Sequence, residues 1–254
     1  MPENGEISVT IEKGIATITF YHPKGNSFPG KLLRELADQI TSVGKNAKAK
    51  VIILQSRGDG AFCAGASFTE LINIKNYDEG KKFFMGFALV INAMRKCPKL
   101  IIARVQGKAV GGGVGLASSA DYALARDTAF VKLSELALGI GPFVVGPAVE
   151  RKIGTSSFAT LAIDAKNWRS AQWAKDKGLF TQIYASTEDL DSALQELAQS
   201  LAGSSPDAMA ELKRVLWEGT GHWDDLLEKR AEISGRLVLS DYTRDFITKF
   251  KEKH

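Results

Sequence analysis

Leu100-Ile-Ile-Ala-Arg-Val-Gln-Gly-Lys-Ala-Val-Gly-Gly-Gly-Val-Gly-Leu-Ala-Ser-Ser-Ala-Asp121 is the stretch on which the reading of this chain turns. The apolar run 100–105 predicts a buried strand, and the small residues from about Gly112 onward predict a helix. Between them stand Gly111, Gly112 and Gly113, where no side chain keeps a ligand from the backbone. The helix that follows aims unpaired N–H groups and the positive end of its dipole at the same place. Such a turn holds negative charge, either a bound anion or an oxyanion that forms during a reaction.

A second segment follows the same plan. Lys50-Val-Ile-Ile-Leu-Gln-Ser-Arg-Gly-Asp-Gly-Ala-Phe-Cys-Ala-Gly-Ala-Ser67 runs from an apolar strand into a glycine- and alanine-rich loop. Ser67 is a suitable N-cap for a helix through Phe68, Leu71 and Ile72. Lys50-Val-Ile-Ile and Lys99-Leu-Ile-Ile echo each other, which reads as a repeated strand–turn–helix unit. Two such turns side by side would offer two backbone N–H groups to one oxygen. The alternative is a pair of tight turns in which only small residues pack.

The glycine pattern makes a Rossmann oxidoreductase and a nucleotide triphosphatase weak candidates. From Gly111 or Gly113 the dinucleotide spacing G-x-G-x-x-G fails at Leu116 or Ser118, and no Gly-Lys-Ser/Thr follows as a phosphate-binding loop requires. A length of 254 residues and an apolar fraction of 44% suit one globular core, with room for a helical appendage. No segment approaches the ~20 apolar residues of a membrane span. The N-terminus, Met-Pro-Glu-Asn-Gly-Glu6, lacks the apolar stretch of a signal peptide, so a cytoplasmic location is expected. Only Cys63 and Cys97 are present, which suggests no disulfide framework, and no Cys/His spacing suits a metal. A net charge of +4, spread along the chain, argues against a nucleic-acid surface.

A coarse pass predicts strands at 7–11 and 16–20 joined by a turn at Lys13-Gly14, then a helix over 31–43 with Leu32, Leu33, Leu36 and Ile40 on one face. A helical region carrying Phe83, Phe84, Phe87, Val90 and Ile91 separates the two like strands. Short strands are expected at 122–125 and 129–131. The remainder reads mainly as helices, clearest at 189–201, 206–217, 223–239 and 243–253.

Five segments carry a resemblance to a known family. They are Pro23-Lys-Gly-Asn26, Phe62-Cys-Ala-Gly-Ala-Ser-Phe-Thr-Glu-Leu71, Gly107-Lys-Ala-Val-Gly-Gly-Gly-Val-Gly-Leu-Ala117, Ser134-Glu-Leu-Ala-Leu-Gly139 and Ser170-Ala-Gln-Trp-Ala-Lys-Asp-Lys-Gly-Leu179. In this order the chain resembles the enoyl-CoA hydratase/isomerase, or crotonase, family. The resemblance implies an α/β fold: a superhelix of ββα repeats over about 1–200, with a C-terminal helical trimerisation region over 201–254. It implies an acyl-CoA thioester as substrate, no cofactor beyond the CoA it carries, no metal, and assembly as a homotrimer or a dimer of trimers. The two backbone amides that clamp the thioester oxygen map onto Ala66 and Gly112. The substrate would also touch Ala64, Ser67, Phe68, Thr69, Gly111 and Phe143, the last within the acyl-pocket wall Gly141-Pro-Phe-Val-Val145. Lys24 and Lys249 are the candidates for the CoA phosphates.

The catalytic reading turns on acids. Glu135 occupies the position of one family glutamate, and burial against apolar walls would make it a proton shuttle near neutral pH. Hydratases of the family carry a second glutamate two residues after the triple glycine, where this chain has Gly115. Adding water needs one group to activate the water and another to deliver a proton. Moving a double bond needs one base that carries a proton from carbon to carbon. The pattern therefore favours isomerisation. The alternatives are hydration with an unusual second acid, a thioester lyase or decarboxylase, and a non-catalytic acyl-CoA binder. Phe143 falls near a point where some family isomerases carry a further acid, so the dienoyl mechanism finds no support. Among other polar residues, Glu70 reads as a solvated helix face and Asp121 as the holder of a turn or subunit contact. His22 and His222 read as structural or exposed, and Cys63 as a small buried residue.

Overall fold

The computed structural model describes residues 5–251. Strands β1 (Glu6–Glu12) and β2 (Ile15–Tyr21) pair antiparallel, and both residues of the intervening turn, Lys13 and Gly14, have positive φ. That is the geometry that continues the natural twist of a two-residue hairpin. Helix α1 (Gly30–Lys45) buries Leu32, Leu33, Leu36, Ile40 and Val43, the stripe that a period of 3.6 puts on one face. Then come β3 (Val51–Ser56), the single turn α2 (Phe68–Leu71), the long α3 (Tyr77–Lys96) and β4 (Ile101–Val105). Strands β3 and β4 lie side by side in parallel with Ile52 opposite Ile101, so the two like sequences are neighbours.

The short β5 (Ala109–Val110) enters α4 (Gly112–Ser119), followed by β6 (Tyr122–Arg126) and β7 (Val131–Lys132). Beyond these lie α5 (Gly146–Ile163), kinked at Gly154, then α6 (Ala171–Asp176), β8 (Gln182–Tyr184) and α7 (Thr187–Ala202). The chain closes with α8 (Pro206–Leu216), α9 (Trp223–Leu237) and α10 (Asp241–Lys251). The main sheet runs β1-β2-β3-β4-β6-β8, parallel except for its first pair, and β5 and β7 form a small parallel sheet of their own.

The central strands read as unbroken apolar runs because both faces are covered. Ile52, Leu54, Ile101 and Ala103 join the large core with α1, α3 and α4. Val51, Ile53, Ile102 and Leu124 meet Leu190, Leu194 and Ala198 of α7 on the other side. The strand expected at 129–131 is instead Val131–Lys132, because Ala129 N–H closes a turn on Arg126 O at 3.0 Å. The three-residue edge strand β8 had no sequence signal of its own. Residues 252 and 253 of the last expected helix lie outside the described residues.

Two contacts fasten the C-terminal helices to the rest of the chain. α9 crosses α3 at paired glycines: a Cβ on Gly80 would lie 2.7 Å from Gly235 O, and one on Gly235 would lie 2.6 Å from Lys81 N. Asp121, buried at the end of α4, accepts hydrogen bonds from Ile101 N (2.8 Å), Lys213 Nζ (2.7 Å) and Trp217 Nε1 (2.8 Å). It holds β4 to α8.

Candidate active site

The loop after β3 is stitched on both sides. Ala64 N donates to Gly25 O (3.0 Å), Phe28 N to Gly65 O (2.8 Å) and Ser67 N to Phe28 O (2.9 Å), while Val110 N donates to Cys63 O (2.9 Å). This clamps Ala64-Gly65-Ala66 between the segment after β2 and the entry to α4. Gly65 has φ 90°, and a Cβ there would lie 2.8 Å from Val110 O and 3.6 Å from Gly112 N. The two glycine turns therefore touch. Among the described residues, the Ala66 and Gly112 N–H groups donate to no protein acceptor. Gly112 opens α4, so its amide carries the positive end of that helix. At the far end of α4, Lys152 Nζ donates to Ala120 O (2.8 Å) and Asp121 O (3.2 Å).

Contact explains each glycine of the turn. A Cβ on Gly111 would meet Glu135 Oε1 at 2.7 Å, one on Gly112 would meet the Phe87 ring at 2.1 Å, and one on Gly113 would meet Cys63 O at 2.5 Å. The packing reading of these small residues thus holds. The same glycines that let the core close also leave Glu135 against the backbone of the turn.

Around this junction lies a cavity of about 250 Å³. Ala64, Ala66, Phe68, Gly111, Gly112, Glu135 and Phe143 line it. Ser67, Thr69, Lys24 and Lys249 do not. Ser67 caps α2, its Oγ accepting from Glu70 N at 3.3 Å. Lys24 Nζ donates to Thr69 Oγ1 at 2.9 Å on the exposed side of that loop, and Lys249 is exposed on α10. Residues that the sequence did not single out for the site are Leu71, Phe84 and Phe87 from α2 and α3, Ser134, Leu138 and Ile140 around Glu135, and Ser234 and Phe246 from the last two helices. The aromatic stripe of α3 was a legible signal of burial, and here that buried face is cavity wall.

Glu135 is the only carboxylate among the described residues lining the cavity. It stands immediately before a 3-10 turn, Leu136–Leu138, and its carbonyl accepts from Leu138 N (3.1 Å) and Ile140 N (3.0 Å). The residue keeps some exposed surface, yet its Oε2 is enclosed and has no hydrogen-bond partner among the described residues. Burial pushes the carboxyl up from 4.5 to about 7, opposed in part by a backbone N–H. The site of a second acid is filled: a Cβ on Gly115 would lie 2.5 Å from Val145 Cγ1 and 2.8 Å from its Cβ.

Three polar residues prove structural. Glu70 is not a solvated helix face: its Oε2 accepts from Gly30 N at 2.6 Å and serves the N-terminus of α1, whose N-cap position is Pro29 and supplies no side-chain acceptor. His22 is buried, its Nδ1 bonded to Ser27 Oγ (3.1 Å) and Lys24 N (3.3 Å), and burial lowers its pKa. Cys63 is enclosed, and burial pushes its thiol up to about 12, so it holds no reactive thiolate. Among the described residues no three His, Cys, Asp or Glu side chains gather as a metal would need, and no helix is long and apolar enough to cross a membrane.

Comparison with known proteins gives one result. The family model described as enoyl-CoA hydratase/isomerase matches residues 10–254. A probable enoyl-CoA hydratase of Bacillus subtilis is 27% identical over 97% of this chain and 96% of its own. A peroxisomal Delta(3,5)-Delta(2,4)-dienoyl-CoA isomerase of Arabidopsis thaliana is 27% identical over 72% of this chain and 69% of its own. The crystal structure of an enoyl-CoA hydratase from Bacillus halodurans superposes with a TM-score of 0.87 at 19% identity, covering 96% of this chain and 99% of that one. The mixed α/β fold, the two touching glycine turns and the family match over residues 10–254 agree: this chain belongs to the enoyl-CoA hydratase/isomerase family.

Proposed function

We propose that the protein is an enoyl-CoA isomerase that moves a double bond within an acyl-CoA thioester. In this reading the Ala66 and Gly112 N–H groups receive the thioester oxygen, and Glu135 removes a proton from C2 of a 3-enoyl-CoA. The electron pair left behind passes through the carbonyl as a dienolate, whose oxygen takes up the charge. Glu135 then returns the proton at C4, which leaves the double bond between C2 and C3. Each backbone donor aimed at such an oxygen is worth roughly 3–4 kcal/mol of barrier.

The observation that carries the proposal is the lone carboxylate. Glu135 has no acidic companion in the cavity among the described residues, and Val145 fills the space beside Gly115. One carboxyl near pH 7 serves as base and then as acid, whereas water addition asks for two groups at once. The apolar wall at Phe143 carries no further acid among the described residues, which favours single-base isomerisation over a dienoyl mechanism. Ala64, Ser67, Phe68, Thr69 and Gly111 would border the thioester arm, Lys24 and Lys249 would meet CoA phosphates, and the working assembly would be a homotrimer or a dimer of trimers.

The test is a substrate panel. With purified protein, 3-enoyl-CoA should be converted to 2-enoyl-CoA faster than 2-enoyl-CoA is hydrated, both followed by mass spectrometry. Faster hydration would show that another acid does the work of the absent glutamate.

A further inference from the structure

Behind one wall of the cavity lies a second apolar cavity of about 280 Å³. The two share Gly141, Pro142 and Phe143 and nothing else, so this three-residue segment is the partition between them. The Phe143 ring is folded back on the partition: a Cβ on Gly141 would lie 2.6 Å from Phe143 Cε2 and 2.8 Å from Cζ. On the far side stand Pro147, Phe158, Ala162 and Ile163, with Glu150 and Arg230 as the charged groups. Ile163, at its outer rim, is 74% exposed.

Phe143 lines the same cavity as Gly112, Glu135, Leu138 and Ile140. A thioester oxygen at Gly112 leaves C2 beside Glu135, and the next wall residues along the chain are Leu138, Ile140 and then Phe143. An acyl tail that leaves the reacting carbons along this wall meets the Phe143 ring, with apolar space beyond it. We propose that Phe143 is the chain-length stop of this enzyme, and that the second cavity is the blocked continuation of its acyl channel. The substrate class is then short-chain acyl-CoA. This rests on the acyl-CoA reading of the first cavity and adds the length of the chain it takes.

The experiment measures binding of saturated acyl-CoA thioesters of increasing chain length by calorimetry, so the readout does not depend on which reaction is catalysed. Wild-type affinity should rise with chain length and then stop rising or fall. In Phe143→Ala the rise should continue past that point by about fourfold per added methylene, since burying one methylene is worth about 0.8 kcal/mol. Adding Ala162→Phe, which fills the second cavity from its far wall, should cancel the gain. An unshifted length profile in a folded Phe143→Ala protein overturns the inference, as does a gain that Ala162→Phe leaves intact. A change of oligomeric state caused by Ala162→Phe alone would assign the outer groove to a contact between copies and would also overturn it. If the wild type binds no acyl-CoA of any length, the underlying reading fails as well, so the two failures are distinguishable.

Discussion

Replacing Glu135 by glutamine should slow the enzyme and, with rising pH, make it progressively more stable than the wild type. The magnitude follows from the burial of the carboxyl. In the folded chain Glu135 holds its proton up to about 7, whereas its ordinary value is 4.5. Below the ordinary value both states are protonated and the residue costs nothing. As pH rises, the unfolded chain gives up this proton first, and stability drains away until the folded carboxyl also ionises near pH 7. Above that the loss is constant at roughly 3 kcal/mol, each pKa unit being worth about 1.4 kcal/mol. The amide carries no such proton, so its own burial cost is the same at every pH.

Urea unfolding of wild type and Glu135→Gln at fixed protein concentration, from about pH 5 to about pH 8, isolates the effect as the difference between two curves. That difference should change by about 2–3 kcal/mol across the range, in favour of the variant at the alkaline end. Turnover of the variant should fall by about a hundredfold or more with acyl-CoA affinity kept. In the wild type kcat/KM should climb through about pH 7 as the base ionises. Parallel stability curves would refute the buried-acid reasoning, and near-normal turnover would remove Glu135 from the chemistry.

Three further outcomes are expected. Gly115→Glu should not create a hydratase: its side chain runs into Val145 at 2.5 Å, so overpacking should cost about 1–3 kcal/mol in thermal unfolding, with no gain in hydration of 2-enoyl-CoA. Asp121→Ala should strand the buried Lys213 ammonium and lower stability in urea by about 3–5 kcal/mol, and adding Lys213→Met should recover a large part of that loss. Isomerisation run in deuterium oxide should give a product that retains most of the transferred hydrogen at C4, because Oε2 is enclosed and shares its proton with no other described group; full exchange with solvent would mean that water reaches the base during turnover.

The fold was legible where periodicity and repetition speak. The hairpin, the apolar stripe of α1, the paired strands β3 and β4 and the terminal helices all stand close to where the sequence put them. The short elements were not, because β7 and β8 are held by neighbours rather than by their own two or three residues. At the site, the glycine turns and Glu135 could be read from motif and chemistry. The rest of the lining could not: Ser234 reaches the cavity through the crossing of α9 on α3, a contact between residues more than a hundred positions apart in sequence, and Phe246 through α10, which packs on the turn at Gly139. Glu70 was misread for a related reason. Its partner, Gly30 N, is the unpaired start of another helix, and nothing near Glu70 in the chain announces it.

The filling of the second-acid position changes more than the count of carboxylates. A second ionised acid near Glu135 would have to be solvated, and that means a polar, water-bearing cavity. Val145 at this place, together with Phe84, Phe87 and Val144, makes the cavity apolar instead. Apolar walls are what raise the Glu135 carboxyl to about 7, and so give one group the capacity to both take and return a proton near neutral pH. In the proposed reaction, the low local dielectric of such walls would enlarge each hydrogen bond from the Ala66 and Gly112 amides to an oxyanion. In the proposed isomerisation, the filled space beside Gly115 and the raised pKa of Glu135 thus share one cause, the apolar packing around them, which favours proton transfer between carbons over water addition.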